Sequence, residues 1–423
     1  MKKFFMSVAA LAGMMSLAAC SSDDIVSPAD NDVQTIQIAV ASTGDKATRG
    51  RDLNSEEPDQ KIESVTVVIR NKATNAVVYK GDIPKWNTVS STYTDNGHGR
   101  KYTLKLEGAD RLNAGEYTIT AVGYTADDFK TNTIVDAKKG EVAADNFTAE
   151  VADGKAAQEA FAGESSIKLL EDHAAINPSV TLHRQVAGYY GYFTSIPFEV
   201  NSKKVTDVRL VARSKNMKLT YGNFNSSFTT TNKDIMYVVN GSEPATTKDA
   251  KFKGSADNDA YTLYNIKVTE WFTKGDTNKD GILDEKDTNW TNPLEPNGYK
   301  TYQPGTIFAG GFAVPFAATD AATLELQLLD ESGEILKSWT VAMATPQPAG
   351  QGVDGVALTV PKTAQNFSFF RNHMYTLGKK VDNTNNKPGT TTPDQPEPLD
   401  KSQSMILRVN DNWEVINRMT IGD

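Results

Sequence analysis

The sequence predicts an all-β fold, mainly antiparallel β-sandwich: two tandem β-sandwich domains followed by a C-terminal tail of strands. Three observations predict it. Short runs with apolar residues at every second position recur along the chain, turn residues separate them, and helical periodicity is nearly absent. With 423 residues and 39% hydrophobic content, the chain has room for about two to three domains with real cores.

The first element is an export signal over residues 1–19. Lys2 and Lys3 precede an apolar run from Phe4 to Ala19, too short to cross a bilayer comfortably and of the right length for a secretory signal. The run ends Leu17, Ala18, Ala19, Cys20. That ending resembles the cleavage site of bacterial lipoproteins, which implies that Cys20 becomes the new N-terminus and carries acyl chains such as palmitate. Cys20 is the sole cysteine, so no disulfide forms within one chain. Two or more chains anchor stably, at about 0.8 kcal/mol per buried methylene. Ser21, Ser22, Asp23 and Asp24 resemble the acidic tract that sends some such lipoproteins to the outer face, so the expected partner is an outer membrane, reached through lipid on the precursor.

Residues 20–49 read as a lipidated tether and one strand. Ile36, Ile38 and Val40 alternate with Gln37 and Ala39, and a polar stretch from Ser42 to Asp59 follows, with Gly44, Gly50 and Pro58. It contains Arg49 and Arg51 and reads as an accessible loop. The first sandwich is expected over 50–195, with Val65, Val67 and Ile69 on one strand and Tyr117, Ile119 and Ala121 on another. The second is expected over 196–380, with Val208, Leu210 and Ala212, then Leu324, Leu326 and Leu328. The join is placed at Tyr192–Asn201, although Gly188–Phe193 itself reads as a strand, and Ala156–Ala162 is the best candidate for a short helix.

Pro388, Pro393, Pro396 and Pro398 make 381–401 an extended linker. Beyond it, 402–423 alternates again. Met405, Leu407 and Val409 share one face, and Trp413, Val415, Met419 and Ile421 share another after the turn at Asn410–Asn412. An apolar strand pair on such an arm calls for a sheet to join.

A net charge of -9 becomes more negative once Lys2 and Lys3 leave with the signal, which argues against nucleic acid as a partner. His98, His173, His183 and His373 show no metal-ligand spacing, and HExxH, GxSxG and phosphate-loop patterns are missing. Nothing in the sequence calls for an enzyme. Residues 276–287 do match a calcium loop. Side-chain oxygens of Asp276, Asn278, Asp280, Asp284 and Asp287 fall at ligand positions, Ile282 offers its carbonyl, and Gly281 makes the sharp turn. Aspartate instead of glutamate at the last position makes the loop look like the dockerin version. The expected cofactor is Ca2+ in a structural role.

Taken together, the layout resembles the fimbrillins, the lipoprotein precursors of type V pili. The resemblance is carried by the lipobox at Cys20, the first strand with its Arg-containing loop, Leu182-His183-Arg184-Gln185-Val186-Ala187, Arg371-Asn372-His373-Met374-Tyr375-Thr376-Leu377, and the Trp413-bearing end. It implies an outer-membrane precursor that becomes part of a cell-surface fimbrium serving adhesion. An arginine-specific protease would cut at Arg49 or Arg51, Val33–Ser42 would depart, and other pilus subunits would supply the replacement. Met405, Leu407, Val409, Trp413, Val415, Met419 and Ile421 are the implied donor-strand residues. The alternative is a cell-surface glycan-binding lipoprotein, with Tyr189, Tyr190, Tyr192 and Phe193 as a sugar platform.

Overall fold

The structure is a computed structural model that describes residues 33–40, 62–92, 100–125, 129–222, 238–253, 259–294, 302–317, 324–343, 368–378, 395–401 and 405–410. Helix among these is confined to single α-helical turns at Trp86–Val89, Thr133–Asp136 and Val268–Trp271 and a 3-10 turn at Gly108–Asp110. The remainder is short strands joined by turns and loops.

The first half supplies β1 (Gln34–Val40), β2 (Ser64–Asn71), β3 (Val77–Pro84), β4 (Ser91–Thr92), β5 (Arg100–Leu106), β6 (Gly115–Tyr124), β7 (Thr131–Asn132), β8 (Thr148–Glu150), β9 (Phe161–Leu169) and β10 (Ser179–Arg184). Eight of them run in the order β3-β2-β6-β9-β10-β1-β5-β4. The strip folds over because β10 changes partner midway. Ser179–Leu182 lie beside β1, whereas His183 and Arg184 face Ala162 and Phe161 of β9. Gly163 permits that corner, since a Cβ there would stand 2.1 Å from the Thr181 carbonyl oxygen. Alternate residues then meet across the fold: Ile36, Ile38 and Val40 from β1, Val65, Val67 and Ile69 from β2, and Leu104 and Leu106 from β5.

The second half supplies β11 (Ala187–Thr194), β12 (Ile196–Pro197), β13 (Glu199–Val200), β14 (Lys203–Lys204), β15 (Asp207–Ala212), β16 (Asn216–Thr220), β17 (Gly241–Pro244), β18 (Tyr261–Lys267), β19 (Ile282–Leu283), β20 (Thr306–Ala313), β21 (Leu324–Leu329), β22 (Ile335–Met343), β23 (Met374–Leu377), β24 (Glu397–Pro398) and β25 (Met405–Asn410). The main sheet runs β18-β15-β21-β22-β25-β23-β11-β20, with β24 also beside β11. Here β25 plays the part that β10 plays in the first half. Met405–Leu407 pair with β22 and Arg408–Asn410 pair with β23.

The two halves share a core. Val68, Val122 and Ala162, on the opposite faces of β2, β6 and β9, join Tyr189, Phe312, Met217 and Leu219 in one apolar cluster. A small sheet, β17-β16-β8-β7, takes two strands from each half and stitches them together. The change of sheet falls between Arg184 and Ala187, so the strand read at Gly188–Phe193 belongs to the second half, ahead of the expected join at Tyr192–Asn201.

Residues 156–162 are not helical. Ala157 bridges to Phe312, and Phe161 opens β9, which pairs along its whole length with β6. Small apolar residues there fill the space between the halves, and a nine-residue ladder outweighs a weak local preference for helix.

Candidate functional site

β1 is an interior strand. All its residues from Gln34 to Val40 pair antiparallel with β5, and Gln37–Val40 pair parallel with β10. Below that contact the backbone still bonds on the same side, Thr35 N–H to Ile176 O at 2.9 Å and Gln37 N–H to Pro178 O at 2.8 Å. Ile36, Ile38 and Val40 are each 0% exposed, and burying such a side chain contributes about 1.5–3 kcal/mol. Removing β1 would leave two unpaired strand edges over an open apolar groove, a costly state for any sandwich.

The strand also carries a buried polar lock. The Gln34 side chain, 1% exposed, donates to Leu112 O at 3.0 Å and to Ala174 O at 2.9 Å, and accepts from Leu112 N–H at 2.7 Å. Thr35 adds a hydroxyl bond to Ile176 O at 3.2 Å. These bonds set the register of β1, because a slip by one residue would bury Thr35 and turn the isoleucines outward. Sequence reasoning missed Gln34, whose partners lie far along the chain.

Cys20, Arg49, Arg51, Trp413, Val415, Met419 and Ile421 lie outside the described residues. The backbones of Met405, Leu407 and Val409 are in β25, so this part of the tail has a partner at home, in its own second sheet. Alternation alone could not reveal that, because β22 and β23 present a slot of the same kind to any apolar strand.

The Leu182–Ala187 and Arg371–Leu377 segments meet at the junction of the halves. Arg184, 2% exposed, pairs with Glu159 at 2.7 Å and lies over the Phe161 ring. Arg371 donates to Gly222 O at 2.6 Å and to Gln185 Oε1 at 3.3 Å, and the His373 Nδ1–H donates to Arg371 O at 2.8 Å. Burial holds the His373 imidazole down at a pKa of about 4, hence neutral. This seam is structural.

In the acidic loop, Asp276 accepts from Lys279 N–H and Gly281 N–H at 2.6 and 2.7 Å. Asp287, 3% exposed, accepts from Thr277 N–H at 2.7 Å and Asp284 N–H at 3.1 Å and so closes the loop. Gly281 has φ +86, the left-handed turn expected of it. Ile282 pairs with Pro197 through β19 and β12. The residue types and the turn suit calcium, but the carboxylates are not gathered: Lys286 Nζ lies 3.4 Å from Asp280 and 3.3 Å from Asp284. Among the described residues no three His, Cys, Asp or Glu side chains form a metal cluster.

Tyr189, Tyr190, Tyr192 and Phe193 are all buried, at 3%, 5%, 0% and 0% exposure. The three tyrosines pack on Tyr264, Phe308 and Tyr302, and none of the four side chains offers a face to a sugar. β11 lies between β20 and β23, so both of its edges are paired, and its side chains are buried on both faces from Ala187 to Phe193.

No protein-family model and no curated protein matches the sequence. Among solved structures, the chain is similar to a fimbrial assembly protein from Parabacteroides distasonis, at 14% identity and a TM-score of 0.36, covering 82% of this chain and 92% of that one. It is similar also to the fimbrial anchor protein Mfa2 from Porphyromonas gingivalis, at 12% identity and a TM-score of 0.35, covering 82% and 90%. A third, from Bacteroides thetaiotaomicron and provisionally described as polysaccharide-binding, matches at 11% identity and a TM-score of 0.38, covering 81% and 91%. Likeness at this level assigns the chain neither a family nor a function.

Proposed function

We propose that this chain is a structural, non-enzymatic subunit of a surface fimbrium, exported as a lipoprotein through Cys20 and assembled by replacement of β1. The observation that carries the reading is the position of β1: an interior strand, buried and bonded on both sides, that is followed in sequence by Arg49 and Arg51. A tethered strand competes at a high effective concentration, and cutting its tether removes that advantage. Cleavage at Arg49 or Arg51 therefore turns β1 into a ligand that dilution and a competing strand displace. The slot between β5 and β10 then takes a strand from another subunit, whose backbone restores the ladder and whose alternate side chains refill the groove.

The test is assembly itself. After an arginine-specific protease has cut the chain without its lipid, ladders of non-covalent oligomers are expected, and deletion of 402–423 removes them. A cleaved chain that stays monomeric at every concentration contradicts the reading.

The loop Asp276–Asp287 is proposed to take Ca2+, with Asp276, Asn278, Asp280, Asp284 and Asp287 supplying side-chain oxygens and Ile282 a carbonyl. Binding would require the Lys286 ammonium to leave Asp280 and Asp284. The ion would stiffen the excursion between Trp271 and Trp290.

A further inference from the structure

When β1 leaves, the slot loses more than apolar contacts. The Leu112 N–H and the Ala174 carbonyl lose the carboxamide of Gln34 as their partner, and the Leu112 carbonyl is left with its bond from the His173 N–H at 3.0 Å. With a strand in the slot Leu112 is 3% exposed, so beneath an incoming strand its backbone groups are again shut off from water. A carboxamide supplies two N–H donors and an acceptor oxygen from one side chain, the set that Gln34 uses here, whereas a hydroxyl has a single donor. The slot is thus keyed: an apolar residue entering at that point would leave the buried Leu112 N–H without an acceptor and the Ala174 carbonyl without its donor, whereas Gln would satisfy both.

Only one other place in the chain repeats the pattern of β1. Gln34-Thr35-Ile36-Gln37-Ile38-Ala39-Val40 places apolar residues two, four and six positions after a glutamine, and among the chain's glutamines only Gln403 does the same, in Gln403-Ser404-Met405-Ile406-Leu407-Arg408-Val409. The hydroxyl also recurs, Ser404 standing where Thr35 bonds to Ile176 O. The later stretch beginning at Asn417 has Met419 and Ile421 in step but ends on Asp423, where β1 has the buried Val40. The surroundings match in polarity as well. β1 lies parallel to β10 and antiparallel to β5, and β25 lies parallel to β22 and antiparallel to β23.

We infer that the strand replacing β1 is Gln403–Val409 of a second copy of this chain, parallel to β10, with Gln403 in the place of Gln34. Gln403 is then the residue that sets register. Met405, Leu407 and Val409 fill the positions of Ile36, Ile38 and Val40. The inference rests on strand replacement as proposed above, and adds that β25 must leave its own sheet before it can be donated.

The experiment compares wild-type chain with Gln403→Leu and Asn417→Leu after arginine-specific cleavage, following ladder formation over time. Gln403→Leu is expected to slow assembly by roughly tenfold or more, the consequence of leaving buried groups unpaired, while Asn417→Leu assembles like wild type. A synthetic peptide of residues 402–410 gives a readout independent of the variant's folding. It is expected to block wild-type assembly, and its Gln403→Leu form to need at least about tenfold more. Wild-type rates for Gln403→Leu, or blocking by a 412–422 peptide in its stead, would overturn the register while leaving strand replacement intact. Failure of the cleaved wild-type chain to assemble would overturn both.

Discussion

The side chain of Gln34 grips Leu112 by both of its backbone groups, donating to the carbonyl at 3.0 Å and accepting from the N–H at 2.7 Å. Loss of that grip leaves the buried Leu112 N–H without its acceptor, while the Leu112 carbonyl keeps its bond from the His173 N–H. Gln34→Leu is therefore expected to destabilise the intact precursor by about 1–3 kcal/mol, read as a lower denaturant midpoint with an unchanged slope.

Ile38 lies at the centre of β1 and is fully buried. Ile38→Ala should cost the precursor about 2–5 kcal/mol through the cavity it leaves. The same substitution should not alter the stability of assembled subunits, because β1 is no longer in them. Equal losses in both forms would mean that β1 stays.

At the seam between the halves, Glu159 neutralises the buried Arg184 at 2.7 Å. Glu159→Ala is expected to destabilise by about 3–5 kcal/mol, since it leaves an uncompensated buried charge, whereas replacing both residues with apolar ones should cost far less. Thermal unfolding of the single and double variants separates the two.

His373 makes stability depend on acid. Its pKa is held at about 4 in the fold, against an ordinary value of 6.5, chiefly by burial. The unfolded chain then binds a proton that the folded one refuses, so stability contributed by the neutral form is intact above pH 6.5 and falls as pH drops toward 4. The loss should approach about 3 kcal/mol, and His373→Gln should abolish that part of the pH dependence.

Calcium should raise the midpoint of thermal unfolding if the Asp276–Asp287 loop binds it, by an amount equivalent to about 2.7 kcal/mol at a hundredfold excess over Kd. Asp276→Ala should remove the shift. A midpoint indifferent to both calcium and chelator would mean that the loop is held by its own hydrogen bonds and by Lys286.

Period-two alternation made the strands of both sandwiches legible, Ile36 to Val40 most clearly, because burial on one face stamps itself on neighbouring residues. It failed where both faces are covered. Glu325 and Gln327 look solvent-facing in sequence, yet they are 5% and 0% exposed and bond to each other at 2.7 Å. The Gln34 lock was invisible for a different reason: Leu112 and Ala174 lie 78 and 140 residues away. The pairing of β25 at home was hidden likewise, since alternation tells which face is apolar and not which sheet receives it. The acidic loop was legible by residue type, whereas the place of Lys286 between two of its carboxylates was not.

The most direct measurement is a mass spectrum of the assembled polymer formed after arginine-specific cleavage. Strand replacement predicts subunits that begin after Arg49 or Arg51, with the fragment carrying Gln34–Val40 recovered only in the unassembled fraction. Polymer that retains that fragment in equal amount to its subunits would contradict the account.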